Sequence, residues 1–141
     1  MKQNSAAPAE EFGFRLDAHS GVPVYRQLID QVLGAIAAGS LRSGDQLPTV
    51  RQVAVDLAIN PNTVMRAYRE MEIRGILDTQ QGAGTFIAEQ QTVATQEERD
   101  RQLARLVEEF VARAGSLGLT VTELLQRLQE MEQGTGARRR K

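Results

Sequence analysis

The segment from Leu47 to Gly75 constrains the fold most, because its pattern predicts two short amphipathic helices joined by a tight turn. Apolar residues of the first helix recur at the spacing of one helical face, namely Val50, Val53, Ala54 and Leu57. Thr49 and Gln52 form a predicted capping box at the start of this helix. In such a box the Thr49 hydroxyl accepts a hydrogen bond from a first-turn amide, and the Gln52 side chain bonds back to the N-cap backbone amide. Asn60 and Pro61 then open the second helix as its N-cap and its first helical residue.

The second helix of this pair carries an apolar stripe and an unusual polar face. The stripe consists of Val64, Ala67, Tyr68 and Met71, and the opposite side carries Asn62, Thr63, Met65, Arg66 and Arg69. Asparagine can bind an adenine edge, arginine a guanine edge, and a threonine or methionine methyl can contact thymine. The first turns of a recognition helix are the ones that enter the major groove. The same residues would also suit an ordinary solvated helix face, so the helix pair alone leaves both interpretations open.

A β-hairpin is predicted directly after the helix pair. Gly75 ends the second helix, and two short β-prone runs, 76–80 and 85–87, are joined by the glycine-rich segment 81–84. Glycines supply the positive φ angles of a hairpin turn and let the backbone approach a phosphate or a minor groove closely. A plain hairpin turn would use the same glycines. The sequence therefore predicts a mainly α fold with a small β-hairpin wing, a winged helix-turn-helix domain over residues 13–88.

These residues also carry a family resemblance. The segment from Pro23 to Ile87, with PVYRQL, GDQLPTVRQVA, INPNTVMRAYREMEIRGIL and QGAGTF, resembles the DNA-binding domain of the GntR superfamily of bacterial transcription regulators. The NPNTV opening, followed by a short tail, is similar to the YtrA subfamily. In the family, DNA is contacted by an arginine at the start of the second helix, by early residues of the third and by the wing glycine. The resemblance places these contacts at Arg51, Asn62, Thr63 and Gly82.

The pattern and the resemblance together give one set of predicted DNA-binding residues. The set comprises Thr49, Arg51, Asn60, Asn62, Thr63, Arg66, Arg69, Gln81 and Gly82. We expect a homodimer that binds a palindromic double-stranded DNA operator, because half-site recognition favours two-fold symmetry. The resemblance implies that it is a repressor and that it controls an ABC-transporter operon. The fatty-acid-responsive branch of the family places an arginine where Pro61 stands, so the operator of that branch is not expected here.

The charge balance is unusual for a protein that binds DNA. The chain of 141 residues has a formal net charge of −1. Between Pro23 and Ala88, the number of arginines equals the number of acidic residues, six of each. Because phosphate contacts require local positive charge, affinity would depend on the placement of Arg51, Arg66 and Arg69 on the predicted DNA face. The neutral balance keeps one alternative open, a winged-helix module that binds another protein without reading DNA.

Composition argues against catalytic, metal-dependent and membrane functions. The chain has no cysteine, and its single histidine, His19, lies in a predicted loop without ligand partners other than carboxylates. We therefore expect no enzyme activity, no cofactor and no metal site. No apolar stretch reaches membrane-spanning length and the start lacks a signal core, so we expect a cytoplasmic protein without membrane contact. A cleft between two subunits could admit a small-molecule effector, which the sequence does not identify.

Upstream of the helix pair, the sequence predicts a tail, an extended arm and one long helix. Residues 1–12 lack periodicity and are predicted to form a flexible tail, and residues 14–17 are predicted to lie as an extended arm against the domain. Pro23 is predicted to be the first residue of a helix that ends at Gly39. This helix has a broad apolar face made of Val24, Leu28, Ile29, Val32, Leu33 and Ile36.

A second unit follows the predicted linker 89–95. Two further capping boxes, at Thr95 and Thr120, start helices within a predicted helical dimerisation region, 96–132. Its apolar stripes contain Leu103, Leu106, Val107, Phe110, Val111, Leu124, Leu125 and Leu128. Our hypothesis is that this two-helix hairpin pairs with a second subunit, and the alternative is that it folds back onto its own winged domain. The end, 133–141, is predicted to be a flexible basic tail that either contacts phosphates or is simply solvated.

Overall fold

The computed structural model describes residues 12–90 and 95–140, the last six of these as backbone only. The chain forms two units, of which the first ends at Gln90 and the second at Gly134. In the first unit the elements are α1 (Val24–Ala38), β1 (Gln46–Leu47), α2 (Val50–Leu57), α3 (Pro61–Ile73), β2 (Leu77–Gln80) and β3 (Gly84–Ile87), and the helices α4 (Gln96–Ser116) and α5 (Val121–Arg140) follow. The predicted winged helix-turn-helix architecture is confirmed.

The core of the first unit is formed by the predicted helical stripes. All four apolar residues of the α3 stripe are buried, together with residues of α1, α2 and the sheet. The buried cluster is Leu28, Ile29, Val32, Leu41, Leu47, Val53, Ala54, Val64, Ala67, Tyr68, Met71, Ile76, Leu77 and Ile87. Because each large apolar side chain contributes about 1.5–3 kcal/mol when it is removed from water, this cluster fixes the helix pair against α1 and the sheet.

The wing contains one strand more than the sequence predicted. β2 and β3 pair in antiparallel fashion as the predicted hairpin, and β1 pairs with the other edge of β3, so that the order is β1-β3-β2. Phe86 in β3 lies opposite both Gln46 and Asp78. A strand of two residues directly before Pro48 is too short to show the alternation by which strands are recognised. It forms because β3 offers an open edge for backbone hydrogen bonds.

The helix pair is capped largely as predicted, with one correction. The Gln52 amide donates a 3.1 Å hydrogen bond to the Thr49 hydroxyl, and the Asn62 amide donates a 2.8 Å bond to the Asn60 side chain. The predicted return contact of Gln52 is wrong, because its side-chain amide donates instead to the Asp56 carboxylate at 2.7 Å. A hydrogen bond to a carboxylate is stronger than one between neutral groups, which favours this i, i+4 pair over the capping box.

The predicted extended arm is present and is held by two glutamines of α1. Phe14 and Leu16 pack against the core, with the exposed Arg15 between them, as expected for an extended segment. Phe12, which we assigned to the tail, packs there too and contacts the Phe14 ring edge-to-face at 4.9 Å. The remainder of the predicted tail, residues 1–11, lies outside the described residues. Pro23, the predicted first residue of this helix, is instead its N-cap. α1 therefore begins one residue later than predicted, at Val24.

Each of these two glutamines binds both backbone groups of one arm residue. Gln31 accepts a 2.8 Å hydrogen bond from the Arg15 amide and donates one of 2.6 Å to the Arg15 carbonyl. Gln27 forms the same pair with Asp17, at 2.9 and 3.0 Å. The two side chains thereby give the arm the hydrogen bonds that a neighbouring strand would provide.

The second unit consists of α4 and α5, joined by a short turn. Thr95 caps α4, and Thr120 with Glu123 forms a complete capping box at the start of α5. Between Gln96 and Gly134, the two helices do not pack along each other's length. α5 continues to Arg140, which places 133–140 in a helix rather than in a flexible tail. Alanine and arginine are good helix formers, and each interrupting glycine costs only about 1 kcal/mol. Of the predicted linker, 91–94 lie outside the described residues.

Candidate nucleic-acid interface

The exposed side of α3 presents three of the predicted DNA-binding residues together. A shallow groove along this helix is lined by Asn62, Met65, Arg66, Arg69, Glu70 and Ile73. Asn62 lies in the first turn and is exposed, as are both arginines, whereas Thr63 is half-buried. The groove therefore offers an asparagine amide and two guanidinium groups on one side of a helix, which are the groups that read adenine and guanine edges.

The other predicted residues do not line this groove, and apart from Thr63 and the cap Asn60 they lie outside α3. Arg51 is exposed in the first turn of α2, and Gln81 and Gly82 are exposed in the turn of the wing. Thr49 and Asn60 use a side-chain oxygen to cap α2 and α3. Their oxygens are thus already engaged with backbone amides, and DNA contacts from these two residues remain predictions.

The electrostatics of this surface favour an anionic partner despite the neutral total charge. Within the described residues, Arg51, Arg66 and Arg69 form no ion pair. The acid that lines the groove, Glu70, lies 3.7 Å from Arg74 one helical turn later. Three exposed arginines without a carboxylate partner are therefore available to bind phosphates or base edges. Because such contacts release counterions, the affinity for DNA would depend strongly on salt concentration.

Arg66 is stacked on an aromatic ring that the sequence did not single out. Its guanidinium carbon lies 3.8 Å from the centroid of the Tyr25 ring, in α1. Arg69 makes only a long contact of 3.9 Å to the Met65 sulfur. In the sequence, Tyr25 is only an aromatic residue beside the apolar face of α1, and this position gives little indication of a contact with α3.

The wing turn is held by a residue that the sequence analysis also missed. Gln46 in β1 donates a 3.2 Å hydrogen bond from its side-chain amide to the Ala83 carbonyl. Gly82 has a φ of 81°, and nothing lies within 4 Å of the position that a Cβ would occupy. Gly84 has a φ of 129°, and a Cβ there would overlap the Gln46 amide. The turn is thus open at Gly82 and closely packed at Gly84.

A buried tyrosine connects α3 to the start of α2. The Tyr68 hydroxyl donates a 2.5 Å hydrogen bond to the Pro48 carbonyl, and the residue is 4% exposed. Burial raises the pKa of this hydroxyl above its ordinary value, because the phenolate would be desolvated. The hydroxyl therefore stays protonated and remains a donor at neutral pH.

The second unit exposes a long apolar stripe. Leu103, Leu106 and Phe110 on α4 are 60%, 63% and 45% exposed. Val107, Leu125 and Leu128 are exposed as well, whereas Val111 and Leu124 are half-buried and Ala114 is buried. Within the chain, most of the large apolar residues of this stripe are therefore in contact with solvent.

Two kinds of site have no counterpart in the part of the chain that the structure describes. Among residues 12–90 and 95–140, no group of histidine, aspartate or glutamate side chains is arranged to hold a metal ion. None of the helices there is both long enough and apolar enough to cross a lipid bilayer.

A helix pair with an arginine-bearing second helix, followed by a sheet with a glycine turn, defines a winged helix-turn-helix DNA-binding domain. Residues 24–87 match the sequence profile of bacterial regulatory proteins of the gntR family. The uncharacterized regulator YhcF of Bacillus subtilis is 39% identical over 115 residues, which cover 82% of this chain and 94% of the relative. The repressor YtrA of the same organism is 32% identical over 117 residues, covering 83% and 90%. This chain belongs to the GntR family.

A solved structure agrees with this assignment. YtrA from Sulfolobus acidocaldarius, a GntR-family transcription factor, superimposes with a TM-score of 0.53 at 27% identity, covering 70% of this chain and 97% of that one. The resemblance to YtrA-like regulators drawn from the sequence is thereby confirmed. The chain is a transcription regulator with a DNA-binding domain, and its relatives are regulators rather than enzymes.

Proposed function

We propose that two copies of this chain bind a palindromic double-stranded DNA operator, with one α3 helix in the major groove of each half-site. The observation that carries the proposal is the set of exposed arginines without ion-pair partners, Arg51, Arg66 and Arg69, on a helix-turn-helix. Such groups supply both the phosphate attraction and the base readout that sequence-specific binding requires. The centres of the two half-sites would lie about 34 Å apart, or a multiple of that distance.

The proposed contacts divide by element. Asn62 and Arg66, in the first two turns of α3, would contact base edges, because the start of a recognition helix reaches deepest into the groove. Arg51 at the start of α2 would bind a phosphate, as would Arg69 further along α3. Gly82 would let the wing backbone approach DNA, since no side chain lies in front of it.

The dimer would form through the apolar stripe of the second unit. Most large apolar side chains of α4 and α5 are exposed, and between Gln96 and Gly134 the two helices do not pack along each other. A second copy is the partner that fits best, because an isologous contact buries the same stripe on both chains and matches the two-fold symmetry of a palindromic site. Phe110, at the middle of the stripe of α4, would lie near the centre of this interface.

The regulatory sense of the proposal is repression. Its support is the likeness to a relative named as a repressor, YtrA of Bacillus subtilis. The resemblance of the sequence to YtrA regulators extends the proposal to control of an ABC-transporter operon in the cytoplasm. A small-molecule effector would have to bind between subunits, since each helical unit is too small to enclose one.

The decisive experiment is selection of the full-length protein against random double-stranded DNA, followed by sequencing and by measurement of the mass of the complex. We expect an enriched inverted repeat that is bound by two chains. Absence of any enriched sequence at low salt would overturn the proposal and favour a module that binds another protein. Binding of one chain to a single half-site would retain DNA reading and overturn the dimer.

Two α3 variants sharpen the assignment of the base contact. Arg66→Ala should weaken binding by about 1–3 kcal/mol and relax the preference at one base pair of each half-site. Arg74→Ala is the control, because it removes the C-cap arginine of α3, which is already paired with Glu70. A loss for Arg66→Ala that is equal for all sequences would make Arg66 a phosphate contact instead.

A further inference from the structure

The contact between Arg66 and Tyr25 joins an exposed arginine of α3 to a fixed scaffold. Tyr25 is half-buried in the first turn of α1, which packs against α3. The buried residues Leu28 and Val64 hold these two helices in one core cluster. The ring is therefore a rigid platform, and the mobile partner is the arginine side chain.

Stacking leaves the chemically specific part of Arg66 available. A guanidinium group carries its five N–H donors in its own plane, and the central carbon of the Arg66 group lies over the Tyr25 ring, 3.8 Å from its centroid. Among the described residues no acceptor or carboxylate is bonded to Arg66. The donor edge is thus free while the side chain is confined, so part of the rotamer freedom of the arginine is lost before a ligand arrives.

We propose that Tyr25 is a positioning residue that holds the Arg66 guanidinium ready for bidentate recognition of one guanine in each half-site. This inference rests on the proposed function. Guanine presents its O6 and N7 acceptors in one plane at the major-groove edge, and a guanidinium with a fixed plane can bind both at once. A freely rotating arginine could make the same contact, but it would lose more conformational freedom on binding and would discriminate less against other bases.

Two substitutions separate the ring of Tyr25 from its hydroxyl. Tyr25→Phe keeps the stacking surface, and Tyr25→Leu removes it while keeping an apolar side chain. The probe is the duplex that the wild-type protein enriches from random DNA. We expect Tyr25→Leu to bind this duplex about fivefold more weakly and to lose preference for guanine at one position, and Tyr25→Phe to bind like the wild type.

A double-mutant cycle tests whether Tyr25 acts through Arg66. In the Arg66→Ala background, Tyr25→Leu should cause no further loss of affinity. In the free proteins, the δ-methylene protons of Arg66 should show an upfield ring-current shift in the wild type and in Tyr25→Phe, and no such shift in Tyr25→Leu. Thermal unfolding of each variant confirms that the domain is folded during these measurements.

The outcomes distinguish the inference from the function on which it rests. If Tyr25→Phe binds as weakly as Tyr25→Leu, the hydroxyl contacts DNA directly and the inference is overturned. A Tyr25→Leu effect that persists in full without the Arg66 side chain would overturn it as well, since Tyr25 would then act through packing. If the wild-type protein enriches no duplex, the proposed function fails and the inference fails with it.

Discussion

The Tyr68 hydroxyl, in the middle of α3, is bonded to the Pro48 carbonyl immediately before the N-cap of α2. The donor side chain is buried and the 2.5 Å bond is part-buried, which limits competition from water. Since Arg51 projects from the first turn of α2, the bond fixes the position of that arginine relative to the recognition helix. It thereby joins the two halves of the helix-turn-helix.

Removal of this hydroxyl should destabilise the winged domain. We expect Tyr68→Phe to lower the free energy of unfolding by about 1–2 kcal/mol, because the Pro48 carbonyl loses its partner in a poorly hydrated place. Urea denaturation measures the change. Tyr25→Phe is the control, since it also deletes a phenolic hydroxyl but leaves the bond to Pro48 in place. Equal losses for the two variants would contradict the assignment.

The same tyrosine should make stability sensitive to alkali. Burial raises the pKa of Tyr68 in the folded state above its ordinary value of 10.0, so the folded chain retains a proton that the unfolded chain releases. The resulting stabilisation is complete below the unfolded pKa and is lost as the pH rises above it. The difference in unfolding free energy between wild type and Tyr68→Phe should therefore be constant below about pH 10 and shrink progressively as the pH is raised above it. A constant difference would show that the hydroxyl does not titrate with unfolding.

The wing should be sensitive to a single methyl group. Gly84→Ala places a side chain at a φ of 129°, which residues other than glycine rarely adopt, and its Cβ also displaces the flexible Gln46 amide; it should destabilise the domain by about 1–3 kcal/mol, mainly through the backbone. Combining it with Gln46→Ala should recover the steric part of this loss and leave the backbone part. Chemical denaturation of the two single variants and the double variant gives both parts. Strict additivity would show that the two side chains do not interact.

Features encoded within one helix and its cap could be predicted from the sequence. The α3 stripe of Val64, Ala67, Tyr68 and Met71 is buried as expected, because helical periodicity places these residues on one side whatever the rest of the chain does. The Asn60 cap is likewise a contact between residues two positions apart. In both cases the physical cause lies within the segment itself.

Contacts between distant segments could not be predicted in the same way. The Gln46 bond to Ala83 spans 37 positions, and neither residue type indicates a partner. The stacking of Arg66 on Tyr25 depends on how α1 crosses α3, which is decided by packing in the core. Even within α2, Gln52 had two acceptable partners, and the carboxylate of Asp56 was favoured over the cap. The sequence thus predicted which residues face outward, but not which side chains hold them in place.

The two glutamines that hold the arm should act independently. Gln31→Met removes both hydrogen bonds to Arg15 while keeping the length of the side chain, so we expect the Arg15 amide to exchange faster with solvent. The Asp17 amide should keep its protection, because Gln27 still binds it. Hydrogen exchange measured by NMR resolves the two sites, and Gln27→Met should give the reverse pattern. Loss of protection at both amides in each variant would show that the arm detaches as one unit.

The stripe of α4 predicts how the proposed dimer would be broken. Phe110→Glu should shift the protein from dimer to monomer, because a charge would replace an aromatic side chain at a dry interface. Each dimer loses two phenylalanines that are 45% exposed in the free chain, which corresponds to about 1–3 kcal/mol of association free energy. Sedimentation equilibrium gives the mass and the dissociation constant. Affinity for an inverted repeat should fall in parallel, since a monomer holds only one half-site.

Ala112→Glu provides the matched control for this prediction. Ala112 is exposed and lies about half a helical turn away from Phe110 around α4. The substitution therefore adds the same charge to the other side of the helix. We expect this variant to remain a dimer with wild-type affinity for the repeat. If both variants become monomers, the charge of α4 rather than its apolar stripe governs association. If Phe110→Glu remains a dimer at micromolar concentration, the interface lies elsewhere and the stripe must be covered by another partner.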